Sequence, residues 1–464
     1  MNTSKIFLFF FLLNSNFIFF SQEFRGGEFK FNESKTECLT EIQRKRVIEN
    51  LKESKKQLKL QNKYIAASSG VLNPLFIWPV KKASNVSYNE IWGISNYVDH
   101  NPAYPNQITD YNGGTRTYDT NSGYNHQGTD IFTWPYGWKM VDEDGLEVIA
   151  ASGGQIINKN DGAYDRNCSF NNDPWNAVYI RHNDGSVAWY GHLKNGSLTT
   201  KNVGDSVTQG EYLGIVGSSG NSTGPHLHFE IYEDDTYTQD KLIDPFSGSS
   251  NNWNITSWWQ TQKPYRNPKI NALTTNNRPP DFGNCPDTEA TNERDVFLTN
   301  ELVYFTVFLK DQLDIILTLT VYKPDNSIAY TQSGVLPEDY YASYYYISGI
   351  VEVEGQWRLE GSLSTGEVIN HYFTVENSLS TDDYHLNKIH IYPNPLKENL
   401  FINSKVRVNK IIISDVSGKE IFVSKENFID TKKLPVPFLA EGLYFLTILD
   451  ENLNRSTYKI IKGQ

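Results

Sequence analysis

Among the nine histidines of this 464-residue chain, one pair stands two residues apart, in Gly224-Pro225-His226-Leu227-His228-Phe229-Glu230. Successive side chains of a β-strand point to opposite faces, so His226 and His228 share one face while Leu227 and Phe229 pack on the other. Glu230 falls on the histidine face, either as a partner that orients an imidazole or as an exposed strand end. Two imidazoles do not make a reaction centre unless other groups converge on them. In Tyr124-Asn125-His126-Gln127-Gly128-Thr129-Asp130-Ile131 a histidine and a carboxylate lie four apart around a glycine. On a straight strand those side chains would sit ~13 Å apart, so Gly128 must bend the chain if both are to hold one ion.

A catalytic zinc site takes three protein ligands from imidazole, carboxylate or thiolate and leaves a fourth position to water. His126, Asp130 and one histidine of the 226/228 pair supply such a set. His192, in Tyr190-Gly191-His192-Leu193, ends a strand and leaves a further imidazole for proton transfer. There is no HExxH stretch with its glutamate base, so histidine must move the proton. His182 lies in a polar turn, and His371, His385 and His390 lie outside this β-rich unit; they receive no role.

The elements that position these residues are short β-rich runs from Phe76 to about Trp259, separated by Gly and Asn turns, as in an antiparallel sheet. Glu147 to Ala151, Gly154 to Ile157, Ala177 to Ile180 and Ser186 to Tyr190 are examples, with Asp184-Gly185 as a hairpin turn. Residues 71–262 form this unit. Before it, Thr40-Glu41-Ile42-Gln43 predicts a capping box and a helix to about Asn62, making 22–70 a helical pro-segment or spacer. Its apolar positions Ile42, Val47, Ile48, Leu51 and Leu58 give a partial stripe. Residues 1–21 have the apolar core of a secretory signal peptide, interrupted by Asn14-Ser15-Asn16, which disfavours a membrane anchor.

After this β-rich unit, 263–290 is rich in Pro, Asn and Thr and predicts an exposed linker. Residues 291–380 alternate as an immunoglobulin-like β-sandwich with Trp357 as a core residue. Its tyrosine run 340–346 suits either a structural strand or glycan stacking. A last small β-sandwich spans 384–464. The expected fold class is therefore mainly β.

Three motifs in fixed order, His126-x-x-x-Asp130, Tyr190-Gly191-His192-Leu193 and Gly224-Pro225-His226-Leu227-His228-Phe229-Glu230, after Trp78-Pro79-Val80, resemble the lysostaphin/LytM-type zinc endopeptidases. The resemblance spans about residues 76–235. It implies Zn2+ held by His126, Asp130 and His228, with His192 and His226 as catalytic histidines, and peptide-bond hydrolysis in peptidoglycan cross-links. The alternatives are a zinc protease acting on extracellular proteins and a non-catalytic cell-wall-binding or regulatory module. The chain departs from the family at two inserts, 132–147 and 161–175, expected to rim the groove. Tyr392-Pro393-Asn394-Pro395, Asp415-Val416-Ser417-Gly418-Lys419 and Gly442-Leu443-Tyr444 resemble a type A C-terminal sorting domain of type IX secretion substrates. That likeness implies passage through the type IX machinery to the cell surface or beyond; apart from residues 1–21 no stretch is apolar enough to span a bilayer, so no membrane span is expected in the mature chain.

Composition agrees with those expectations and excludes others. With 42 Lys+Arg against 54 Asp+Glu, the net charge of -12 excludes a chain-wide affinity for nucleic acid. Three cysteines permit one disulfide at most, so the fold does not rest on a disulfide framework.

Overall fold

The computed structural model describes residues 23–30, 36–68, 73–377, 389–451 and 455–463. The expected signal peptide lies outside these residues. The chain is mainly β, and residues 1–375 and 376–464 form two separate compact units. No described helix is long and apolar enough to cross a membrane.

The site-bearing sheet is built from short segments whose central strands are buried on both faces. Its strands run Trp92–Asn96, Thr129–Thr133, His226–Tyr232, Val187–Gly191, Ala177–Arg181, Gly154–Asn160 and Ser206–Val207 in spatial order, with Leu242–Ile243 beside His226–Tyr232. All neighbours are antiparallel. Leu227, Phe229 and Ile231 enter one core together with Val178, Ile180, Ala188 and Tyr190. The opposite face carries the histidines at one end and Tyr179, Trp189 and Tyr232 at the other.

That second face is covered by the helix Glu41–Leu60, which begins at a capping box made by Thr40 and Gln43 as the sequence predicts. Leu51 and Leu58 are 1% and 3% exposed and pack among Tyr179, Trp189 and Tyr232, with Val47 and Ile48 at the margin. Burying each leucine stabilises the docked helix by about 1.5–3 kcal/mol. Ile42 is exposed, so the partial stripe of the sequence is a narrow one that fits a single sheet face.

The stretch read as an exposed linker differs from expectation. Lys269–Asn276 is a strand with seven buried residues, paired with Glu301–Gln312. Ile270, Ala272, Leu273 and Thr275 find partners on both sides, and this packing outweighs the Pro and Asn composition around them. The resulting four-stranded sheet, ordered Arg25–Glu28, Tyr340–Val351, Glu301–Gln312 and Lys269–Asn276, faces a five-stranded sheet over a core that includes Trp357. Its outer surface joins the first core through Ala272, Phe308 and Ala342. Within the tyrosine run Tyr345 is buried, and Arg116 stacks on Tyr341 while pairing with the buried Asp311 at 2.6 Å.

Insert 132–147 also departs from expectation. Trp134, Tyr136, Trp138 and Met140 are buried, and the Trp134 indole N–H donates to the Leu309 carbonyl at 3.0 Å, so it cements the two β units instead of rimming a groove. Insert 161–175 is tied to 277–290 by the Cys168–Cys285 disulfide, Cα–Cα 5.8 Å, leaving Cys38 free and buried. The C-terminal unit folds Ile389–Tyr392, Asn399–Ser414, Glu420–Pro435, Gly442–Asp450 and Arg455–Lys462 over its own core of Ile402, Ile411, Ile413, Leu446, Ile448 and Ile460.

The disulfide closes a loop of sequence separation 117. Replacing both Cys168 and Cys285 by serine is expected to cost about 2–5 kcal/mol, seen as a lower denaturation midpoint of residues 1–375.

Candidate metal centre

Sheet register builds the site. His228 lies directly opposite Asp130 on one neighbouring strand and Gly191 on the other. Gly191 is required at that spot, since a Cβ there would come 2.2 Å from the Trp175 ring. The chain bends at Gly128, where a Cβ would meet His228 at 2.6 Å, and the bend brings the His126 Nε2 to 3.1 Å from Asp130 Oδ2. His192 follows Gly191 in a left-handed conformation, φ 63°, which turns its ring toward His226 at 4.4 Å between centroids. The five residues singled out in the sequence therefore come together.

Second partners fix which nitrogen of each ring is free. His126 Nδ1 donates to the Tyr97 carbonyl at 2.7 Å, so its Nε2 lone pair faces Asp130. His228 Nε2 donates to Glu230 at 3.0 Å, so its Nδ1 faces Asp130 Oδ1 at 2.8 Å. Two imidazole nitrogens and a carboxylate thus converge on one point, an arrangement that calls for a cation between them. His126 Nε2 is a buried atom with no hydrogen-bond partner, as a ligand awaiting a metal would be. Asn96 steadies the other side of the carboxylate, donating to Asp130 Oδ2 at 3.0 Å. These donors fit zinc or a similar borderline divalent ion.

Burial alone would lower the His126 pKa, but Asp130 overrides it and pushes it up to about 9. Burial would raise the Asp130 pKa, yet His126 and His228 hold the carboxyl well below its usual range. His192 moves the other way: burial and then His226 lower its pKa. Its Nδ1 donates to the Ser219 carbonyl at 2.6 Å, leaving Nε2 as a free, buried base. His226 donates from Nδ1 to the Gly224 carbonyl at 2.9 Å, so its Nε2 also faces inward, 3.9 Å from Asp130.

Two contributors stand out beyond those five. Glu230, open in the sequence between partner and exposed strand end, is 1% exposed and bonded to His228. Arg44 of the helix donates to both of its oxygens, at 2.5 and 3.2 Å. Burial would push the Glu230 pKa up, but Arg44 and His228 hold it at about 2. Cys38, given no role in the sequence, places its Sγ 4.0 Å from Asp130 Oδ1 and 3.1 Å from the Tyr118 hydroxyl. Its only sequence signal is its place just ahead of the Thr40 capping box. Insert 161–175 does reach the site, with the Trp175 ring 5.1 Å from His192.

Fold and site together define a candidate metallopeptidase domain. Residues 125–245 match Peptidase family M23, and residues 390–463 match the Secretion system C-terminal sorting domain. The chain thus carries an M23 peptidase domain and a C-terminal sorting domain. It is similar to the peptidoglycan DD-endopeptidase ShyC of Vibrio cholerae, 37% identical over 87 residues that cover 19% of each chain. It is also similar to the glycyl-glycine endopeptidase ALE-1 of Staphylococcus capitis, 34% identical over 110 residues, 24% of this chain and 25% of that one. The chain therefore spans a quarter or less of these relatives' own length. The lysostaphin catalytic domain of Staphylococcus simulans aligns over 36% of this chain and 96% of its own at 24% identity, with a TM-score of 0.21.

Asp130 raises the His126 pKa to about 9, so binding of a metal to His126 Nε2 at pH 7 is expected to displace a proton. Calorimetric titration with Zn2+ in buffers of different ionisation enthalpy is expected to show proton release, and affinity should fall as pH is lowered. Glu230→Gln is expected to weaken metal binding about 10–100-fold without unfolding the chain, because it loosens the hold on the His228 ring.

Proposed function

We propose that this chain is an exported zinc metalloendopeptidase that hydrolyses peptide bonds in peptidoglycan cross-links. The convergence of His126 Nε2, Asp130 and His228 Nδ1 on one buried point carries that reading. The M23 match and the endopeptidase names of ShyC and ALE-1 support the reaction class and the substrate. The sorting domain supports delivery through the type IX machinery to the cell surface or the medium.

In this reading His126, Asp130 and His228 would hold Zn2+. Bound zinc lowers the pKa of water to about 7 and polarises a carbonyl oxygen, which makes hydrolysis possible near neutral pH. The protein's own groups do the rest. His192, fixed by Ser219 with its Nε2 inward, takes a proton from the attacking water. His226 is the more accessible ring, with 16% of its side chain exposed and its Nε2 facing inward, and in this reading it protonates the leaving amine. Glu230 keeps the His228 tautomer that points Nδ1 at the site. The packed, apolar surroundings supplied by Trp175 and Tyr118 strengthen each of these charge interactions.

Purified peptidoglycans of different cross-bridge chemistry, and a glycine-rich protein, would be digested with the processed enzyme and the products read by mass spectrometry. Cleavage of cross-bridge peptides is expected, with loss of activity on chelation and recovery with Zn2+. His126→Ala should lose both metal and activity, whereas His192→Ala and His226→Ala should keep the metal and lose about 10²–10⁴-fold in kcat. Cleavage confined to the protein would move the substrate away from the wall. Full turnover by a metal-free His126→Ala chain would refute the mechanism.

A further inference from the structure

Cys38 reaches the metal ligands from outside the peptidase unit. Its Sγ and one donor atom each of His126, Asp130 and His228 all lie within 4.8 Å of one another, and the sulfur meets the same criterion with His192 and His226. The cysteine is 5% exposed and the other two cysteines are joined to each other, so no disulfide competes for it. His126 Nε2 and His192 Nε2, both fully buried and without hydrogen-bond partners, flank the same space. Thiolate is a first-rank ligand for zinc, and a three-ligand site has one position left.

The segment that brings Cys38 is fastened on both sides of it. Before it, the Glu37 carboxylate accepts from Ser122 at 2.7 Å, and the Glu37 carbonyl accepts from Asn221. After it, Gln43 donates to the Asp173 carbonyl at 2.7 Å, Arg44 clamps Glu230, and Leu51 and Leu58 sit in the sheet's second core. A cleft of about 1230 Å3 runs along this segment, lined by Glu37, Leu39, Arg44, Tyr124 and Gln127, but none of the five site side chains line it. The cleft therefore borders the segment without reaching the five site side chains.

We propose that Cys38 is the fourth ligand of the metal in the uncleaved chain, and that residues 36–60 hold the peptidase latent by filling the position water needs. The thiol gives up its proton to solvent when it binds the metal. Activation is hydrolysis of one peptide bond by another protease in the connecting stretch, where 65–68, Asn73 and Leu75 are exposed, followed by departure of the segment. The departing sulfur leaves its position to a water molecule and is reprotonated. This proposal rests on the metallopeptidase reading of the same site.

The test uses the intact chain loaded with Co2+ in place of zinc, compared with Cys38→Ser. Only Cys38 can supply a thiolate, so a thiolate-to-cobalt charge-transfer band of one sulfur per metal is expected in the intact protein. Cys38→Ser should keep stoichiometric cobalt and lose the band. The zinc form of that variant, left uncleaved, should cleave substrate about tenfold faster or more than the uncleaved parent, with the difference vanishing after limited proteolysis removes the segment from both. Bound cobalt without the band in the intact chain would overturn the proposal while leaving the metal site standing. Failure of both chains to bind cobalt would overturn the proposal together with the metallopeptidase reading. Because the band is measured on the unaltered chain, a misfolded variant would not shield the idea from failure.

Discussion

A single buried carboxylate governs this structure. Asp130 lies at 3% exposure inside a β-sheet, where an unpaired charge is untenable, so everything near it must supply positive charge or donors. His228 is set against it by strand register, His126 by the bend at Gly128, and Asn96 by the neighbouring strand. The outer partners then follow: once His228 spends one nitrogen on Asp130, the other requires an acceptor, and Glu230 in turn requires Arg44. In the uncleaved chain this compensation runs from the sheet centre out to the covering helix, so with the helix in place the loss of Arg44 would leave Glu230 as a buried, unpaired charge.

The parts of the site legible in the sequence are those encoded by local geometry. Period two places His226 and His228 on one face, and a glycine between His126 and Asp130 announces a bend, so both can be found without knowing the fold. Cys38 is different. It lies 92 residues from Asp130, in a segment whose only signals are a helix cap and a thin apolar stripe, and nothing local states which sheet that helix covers. Glu230 was visible on the correct face, but its burial depends on Arg44, which comes from the same distant helix.

The fold shows a similar division. Strand patterning gives the mainly β class, and the Thr40 to Gln43 spacing gives the capping box, because both are short-range effects. The strand Lys269–Asn276 hides within proline- and asparagine-rich surroundings, since its burial comes from two neighbours at once: Glu301–Gln312 by hydrogen bonds and the Trp92 and Trp134 carbonyls through Asn271. The same contact makes the boundary between peptidase and sandwich a shared core and not a tether. Trp134, read as part of a groove rim, is instead held by Leu309 of the sandwich.

The short strand Arg25–Glu28 pairs with Ser343–Tyr346 and so caps one edge of the tyrosine-bearing sheet. It belongs to the same N-terminal stretch as Cys38. A chain that shed this stretch would therefore open more than the candidate metal ligands: it would bare a row of backbone N–H and C=O groups flanked by tyrosines, an edge of the kind that receives an extended peptide. Maturation would then create a second contact surface on the sandwich at the moment the first becomes accessible.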